Sequence, residues 1–407
     1  MKISTLITRE PFKNIFQKTI EEFLFSYTNK KHEVTFDAIP SNDTKSSQLW
    51  HCNPLINSIF IKNVSVDVFN SINGEYAYNP MKPWRSIIQK LYLFFSQSKV
   101  TSTFFAPFTL SISPPIEMAE NKLFIGGNTK IRLVDCSNNK VFVILKNGFD
   151  VRFIEKELFV KEHFSYLPVP KIIDIGSQNF WYSEEYVEGK PPNRLPKAIG
   201  NKNILESIEC LKKVYKDTKN NISLHDYTKK LQTDAMNSVK NIPNASEELI
   251  TNIDKIIVTI SSALNDSENT NIALAYAHGD FHQGNILSNG NKFWILDWEH
   301  SGEKHICYDL VVFLLQSRIE SGFSKRFSQL SDNTLDEFHL DICSKWPNIN
   351  WHDIKSRKIY LLIFLLEDLN FYIEENLNPI FYKKENILMA RCNEIFKSIE
   401  YLQVHKK

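Results

Sequence analysis

The chain has 407 residues, 43% of them hydrophobic and 23% charged, with a formal net charge of +1. That length can bury a large core and sets a prior of about two to three domains, in the composition range of soluble globular proteins. Near-neutrality excludes a global field for nucleic acid or an anionic membrane, so any polyphosphate site has to be a local patch.

The six cysteines (52, 136, 210, 307, 343 and 392) lie far apart without a C-x-x-C pair. Reduced thiols in a cytoplasmic protein are therefore expected, rather than disulfides or a zinc site. The first ten residues lack the apolar core of a secretory signal. Apolar stretches such as Tyr360–Leu366 end at charges and are too short to span a bilayer.

Residues 1–118 read as a folded extension of unassigned role. Helices are expected over Glu10–Tyr27 and Pro83–Gln97, with strands or loops near Ile56–Val64. The Ser-Ile-Ser-Pro-Pro run from Ser111 marks a boundary, because paired prolines interrupt both helix and ladder. Residues 119–188 read as a small β-rich lobe. Three strand-like runs end at Lys146, with turns at Gly126-Gly127-Asn128 and after Cys136. A helix over Val151–Tyr166 and strands at Lys171–Ile175 and Phe180–Val187 complete that lobe.

From residue 189 to 407 the chain is mostly helical. Apolar residues recur at three- and four-residue spacing over Asn203–Lys219, Leu224–Asn241, Ser246–Leu264, Asp309–Ile319, Leu335–Lys345, His352–Glu374 and Lys384–Val404. One polar passage interrupts these helices. It reads His278-Gly-Asp280-Phe-His282-Gln-Gly-Asn285, followed by a strand at Phe293–Asp297.

That passage has the oxygen groups that phosphoryl transfer requires: a carboxylate to orient an attacking hydroxyl, and hard ligands for magnesium. Asp280 is the candidate catalytic base, and Asn285 and Asp297 are the candidate Mg²⁺ ligands. An unpaired charge on Asp297, at the end of an apolar strand, would be costly, and a cation would offset that cost. Lys146 closes Val-Phe-Val-Ile-Leu-Lys, from where it would reach nucleotide phosphates and pair with a helix glutamate. Glu155, Glu157 and Glu162 are the choices, and Glu157 best fits the middle of the helix. Gly126 and Gly127 offer a turn that backbone-bound phosphates can approach, and Glu185–Val187 falls where a hinge would meet an adenine edge. His278 and His282 lack a third ligand at zinc spacing; His278 reads as a brace, as does Asp309.

As a set, the His278–Asn285 run, Ile-Leu-Asp297-Trp-Glu, Tyr308-Asp309-Leu, Val-Ile-Leu-Lys146, Pro168-Val-Pro-Lys and Glu185-Tyr-Val-Glu-Gly189 resemble the aminoglycoside phosphotransferase and choline kinase-like family. The resemblance covers about residues 120–320. It implies an α+β, two-lobed protein-kinase-like fold, ATP or GTP as donor with Mg²⁺, and a small-molecule hydroxyl as acceptor. Residues 192–273 show no evident acidic cluster of the kind a polycationic antibiotic would need. A sugar, a glycan precursor or another neutral hydroxyl compound is therefore expected at least as readily as an aminoglycoside, which stays as the alternative. A nucleotide-binding pseudokinase, using the N-terminal segment to hold a partner, is the rival from another class.

Overall fold

Helix α1 (Ile3–Arg9) stops at Glu10, which is extended, and α2 (Phe12–Thr28) begins after Pro11. The single helix expected from Glu10 is thus two, because proline can start a helix and cannot continue one. The computed structural model describes residues 2–37, 47–76, 83–97, 101–242, 245–264, 267, 270–319, 321–347, 349–381 and 385–404. Lys384, the expected start of the last helix, lies outside the described residues.

The chain then runs through β1 (Glu33–Phe36), β2 (Gln48–Asn53), β3 (Ser58–Phe60), α3 (Val66–Tyr76), α4 (Pro83–Gln97), α5 (Ser102–Phe105) and β4 (Phe108–Ser113). There follow β5 (Lys122–Gly126), β6 (Lys130–Asp135), β7 (Lys140–Leu145), α6 (Arg152–His163), β8 (Ile172–Ile175) and β9 (Trp181–Glu185). All nine strands form one antiparallel sheet in the order β1-β4-β2-β3-β5-β6-β7-β9-β8. The strands of the extension and those of the expected lobe share this sheet, joined where Ile59 pairs with Phe124. No structural boundary therefore falls at the paired prolines. The first unit is residues 1–196 together with 287–296.

One face of the sheet is covered by the two N-terminal helices. Phe12, Phe16, Ile20, Phe23 and Leu24 of α2 join Ile131, Leu133, Phe142, Ile144 and Trp181 in a single buried cluster. The Phe23 ring lies 5.2 Å from Phe142 and 5.6 Å from Trp181, both edge-on. Each such side chain contributes about 1.5–3 kcal/mol through burial, so the extension is held as core rather than as an appendage.

His51 in β2 is buried, and neither ring nitrogen has a hydrogen-bond partner. Burial, with repulsion from Lys62, lowers its pKa from 6.5 to about 4. As pH falls from 6.5 towards 4, the unfolded chain takes up a proton that the folded chain refuses, so stability falls. The loss over that window is roughly 3 kcal/mol. His51→Leu is expected to flatten this acid-side loss in urea titrations compared at about pH 7 and about pH 4.5.

The second unit, residues 197–286 and 297–407, is mainly helical. It contains α7 (Lys197–Thr218), β10 (Asn220–Ser223), α8 (Leu224–Val239), α9 (Glu247–Leu264) and β11 (Asn271–Ala277). The chain next forms the hairpin β12 (Ile286–Ser288) and β13 (Phe293–Ile295), then β14 (Gly302–His305). Helices α10 (Tyr308–Leu315), α11 (Phe323–Ser331), α12 (Glu337–Lys345), α13 (Ile354–Leu377) and α14 (Glu385–Val404) finish it. Strands β10, β11 and β14 make a small sheet, with β11 in the middle. Helix α13 is buried along most of its length and packs against α8, α9, α10, α11 and α14. None of the described helices is long and apolar enough to cross a membrane, and all six cysteines are free thiols.

Candidate active site

Strand β11 delivers the chain into the loop that begins at His278. The loop is set by Asp309, from the first turn of α10, which is fully buried. Its carboxylate accepts the backbone N–H groups of His278 (2.7 Å) and Gly279 (2.9 Å) and the Tyr215 hydroxyl (2.5 Å). Charged acceptors make the stronger hydrogen bonds, so two successive amides are pinned in place. His278 is also buried; its Nδ1 accepts the Asp280 N–H at 3.2 Å, and its ring lies 4.5 Å from Trp298. Both braces expected from the sequence are thus in position.

Gly279 sits at φ +83, and a Cβ there would lie 2.0 Å from the His300 carbonyl oxygen. A side chain is excluded by conformation and by space. Gly279→Ala is expected to lower stability by about 1–3 kcal/mol and to reduce turnover of the folded fraction, because the displaced loop carries Asp280. Chemical denaturation and steady-state rates on the same preparation check both effects.

The Asp280 carboxylate meets the Arg318 guanidinium, Nε to Oδ1 at 2.8 Å, and the same arginine donates to the Gly279 carbonyl at 3.0 Å. Burial alone would raise the Asp280 carboxyl, but Arg318, with help from His282 and His300, holds it well below the usual carboxylate range. Arg318 is itself fixed: it stacks 3.6 Å from the centre of the Phe371 ring and lies 3.4 Å from Asp368, which in turn binds Arg391. No motif announced Arg318, a lone arginine beyond α10.

Asn285 donates its Nδ2 to the Asp280 carbonyl (2.9 Å) and lies 3.3 Å from Asp280 Oδ2. The loop therefore brings the candidate base and one candidate ligand together, with the amide nitrogen turned towards Asp280. Asp297 follows β13 in the left-handed conformation (φ 59), an uncommon place for a residue other than glycine, asparagine or aspartate. Among the described residues, no group of three or more His, Cys, Asp and Glu side chains converges as a metal cage. An amide and a carboxylate suit Mg²⁺, which usually keeps waters and takes one or two protein ligands. Next to Asp297, Glu299 is buried and lies 3.4 Å from His300.

In the first unit the expected lysine–glutamate pair is arranged differently. Lys146 Nζ is bonded to Glu10 (2.6 Å) and to the Asn128 carbonyl (2.9 Å), and none of the three candidate glutamates of α6 is seen paired with it. Glu157 instead binds Lys130 Nζ at 2.7 Å and the Tyr182 hydroxyl at 2.7 Å. Alternation along β7 explains the exchange: Phe142 and Ile144 face the N-terminal helices, and Lys146 continues on that parity.

The turn at Gly126 and Gly127 is held from the N-terminal side. Asn57 donates to the Gly126 carbonyl (2.9 Å), and Arg9 donates to the Asn128 carbonyl (2.8 Å) and also bonds its side chain. Glu185 ends β9, with its N–H on the Lys171 carbonyl, and half-buried Val187 follows. Close by, Lys190 and Ser288 exchange backbone bonds at 2.8 and 2.9 Å.

The segment containing the aspartate loop is similar to a known enzyme family. Residues 157–338 match the family model described as the phosphotransferase enzyme family. The match runs from Glu157 in α6 into α12 and takes in the whole His278–Glu299 passage. Among solved structures, a choline kinase from Cryptosporidium parvum Iowa II aligns at 13% identity over 69% of this chain and 89% of that one, with a TM-score of 0.45. A Plasmodium vivax ethanolamine kinase aligns at 12% identity over 81% of this chain and 93% of its own, with a TM-score of 0.44. A thermostable mutant of the aminoglycoside phosphotransferase APH(4)-Ia, in ternary complex with ADP and hygromycin B, aligns at 12% identity over 68% and 93%, with a TM-score of 0.44. No curated protein matches the sequence.

Proposed function

We propose that this chain transfers a phosphoryl group from a magnesium-bound nucleotide, ATP or GTP, to a hydroxyl of a small molecule, with a sugar or glycan precursor as the favoured acceptor class. The observation that carries the reading is the Asp280 loop. An ionised carboxylate is held by Arg318 on amides pinned by Asp309, with the Asn285 amide 3.3 Å away. Such an arrangement suits a base that orients a hydroxyl, since phosphoryl transfer depends on positioning and charge neutralisation more than on covalent chemistry.

In this reading Asp280 accepts or directs the hydroxyl proton, and Asn285 and Asp297 hold Mg²⁺. When bound there, the ion would supply positive charge against the charge that develops on the phosphates. The backbone after β9, at Glu185–Val187, serves the base of the nucleotide.

The test is a panel of sugars, amino alcohols and aminoglycosides, scored by release of ADP or GDP with Mg²⁺ present and absent, followed by product mass. Acceptor-dependent release with a phosphate added to one panel member supports the proposal. Nucleotide binding without turnover across the panel favours the pseudokinase, and a nucleotide-sized mass increase indicates nucleotidyl transfer.

A further inference from the structure

We propose that Lys130, rather than Lys146, is the lysine that engages the nucleotide phosphates, held in place by Glu157 and Tyr182; this rests on the phosphotransferase reading above. The family match begins at residue 157, so it takes in neither lysine, and the choice is made by geometry.

Lys130 is the first residue of β6, directly after the turn at Gly126–Thr129. A Cβ on Gly127 would lie 2.6 Å from the Lys130 carbonyl oxygen, so the turn folds tightly onto this residue. A phosphate drawn to the backbone of the turn would therefore lie beside Lys130. Across the ladder Lys130 pairs with Leu145, on the opposite parity from Phe142, Ile144 and Lys146. Its side chain lies on the α6 side of the sheet, where Glu157 meets it.

Both oxygens of Glu157 are engaged, one by Lys130 at 2.7 Å and the other by the Tyr182 hydroxyl at 2.7 Å. The side chains of Lys130 and Glu157 are each only 4% exposed. A buried ion pair adds little net stability over an apolar pair, so its presence beside a candidate phosphate turn calls for another reason. Orienting an ammonium for polyphosphate is such a reason, because a lysine acts on phosphate as a point charge and needs a fixed direction.

Lys146 lies on the other face of the sheet and is bonded to the N-terminal segment. Its ammonium is fully buried against Glu10 and the Asn128 carbonyl, on the face covered by the N-terminal helices. There it ties α1 to the turn.

The experiment is calorimetric titration of the full-length protein with Mg²⁺–ATP, Mg²⁺–GTP and adenosine. Lys130→Met is expected to weaken the bound nucleoside triphosphate by roughly 10- to 100-fold while leaving adenosine affinity unchanged, as loss of charge-assisted phosphate bonds requires. Lys130→Arg is expected to retain most of the affinity, and Glu157→Gln to lose several-fold of it when titrated at a temperature where circular dichroism shows the variant folded, since breaking this buried pair also lowers stability. Glu10→Gln with Lys146→Met is expected to bind as wild type. The assignment is overturned if Lys130→Met and Glu157→Gln bind the triphosphate within about twofold of wild type, or if triphosphate and adenosine weaken together. It is also overturned if the Lys146 variant is the one that loses phosphate affinity. Wild-type protein that binds neither triphosphate overturns the phosphotransferase reading itself.

Discussion

Asp280→Asn is expected to lower acceptor-dependent nucleoside diphosphate release by about 10²- to 10⁴-fold, with triphosphate affinity close to wild type. The substitution removes the one carboxylate that the loop presents while keeping its volume. The loop should keep its course, because its braces do not depend on that charge: Asp309 still accepts the amides of His278 and Gly279. Asn285 still donates to the main-chain carbonyl of residue 280, and Arg318 retains the Gly279 carbonyl and its neighbour Asp368. Turnover should therefore fall with little change in binding, the pattern of a group that acts mainly in the transition state. Unaltered turnover in a folded Asp280→Asn protein would remove Asp280 from the chemistry. A matched loss of triphosphate affinity would instead move it to the nucleotide site.

How much of this was legible beforehand divides along a physical line. The loop was readable because its residues are close in sequence: five positions separate Asp280 from Asn285, and a single turn brings them together. Asp309 could be assigned as a cap or brace because it opens an apolar helix, although the amides it holds lie 30 and 31 positions away. Arg318 could not be found, since its contact with Asp280 spans 38 positions and no local pattern encodes it. The lysine pairing went astray for a different reason. Strand parity was available, with Phe142, Ile144 and Lys146 two residues apart, but it decides nothing until the partner of each face is known. Those partners came from the extension, whose helices cover the Phe142 face. Prolines 114 and 115 suggested a boundary, yet the sheet continues past them by pairing β3 with β5, a contact distant in sequence. The three-stranded sheet and α11 were likewise hidden among longer helical patterns.

The Lys146–Glu10 pair makes the second large effect. Both side chains are fully buried, and Glu10 is also bonded by Arg9. Lys146→Met should destabilise the first unit by about 3–5 kcal/mol, because it leaves Glu10 in a low-dielectric setting with one partner fewer. Glu10→Gln should cost a similar amount, by leaving two cations near the Asn128 carbonyl. The double variant should recover much of that loss, since the strain lies in the unpaired charge and not in the absence of the pair. Arg9 keeps its bonds to Asn128 in that background, so the turn stays tied to α1. Denaturant titration followed by hydrogen exchange at β5, β6 and β7 would resolve the first unit from the second. Additive losses in the double variant, or a Lys146→Met protein as stable as wild type, would show that the pair is not the clasp between helix and turn. Such a clasp would join the extension to the turn that Lys130 follows, on the sheet face that its helices already cover.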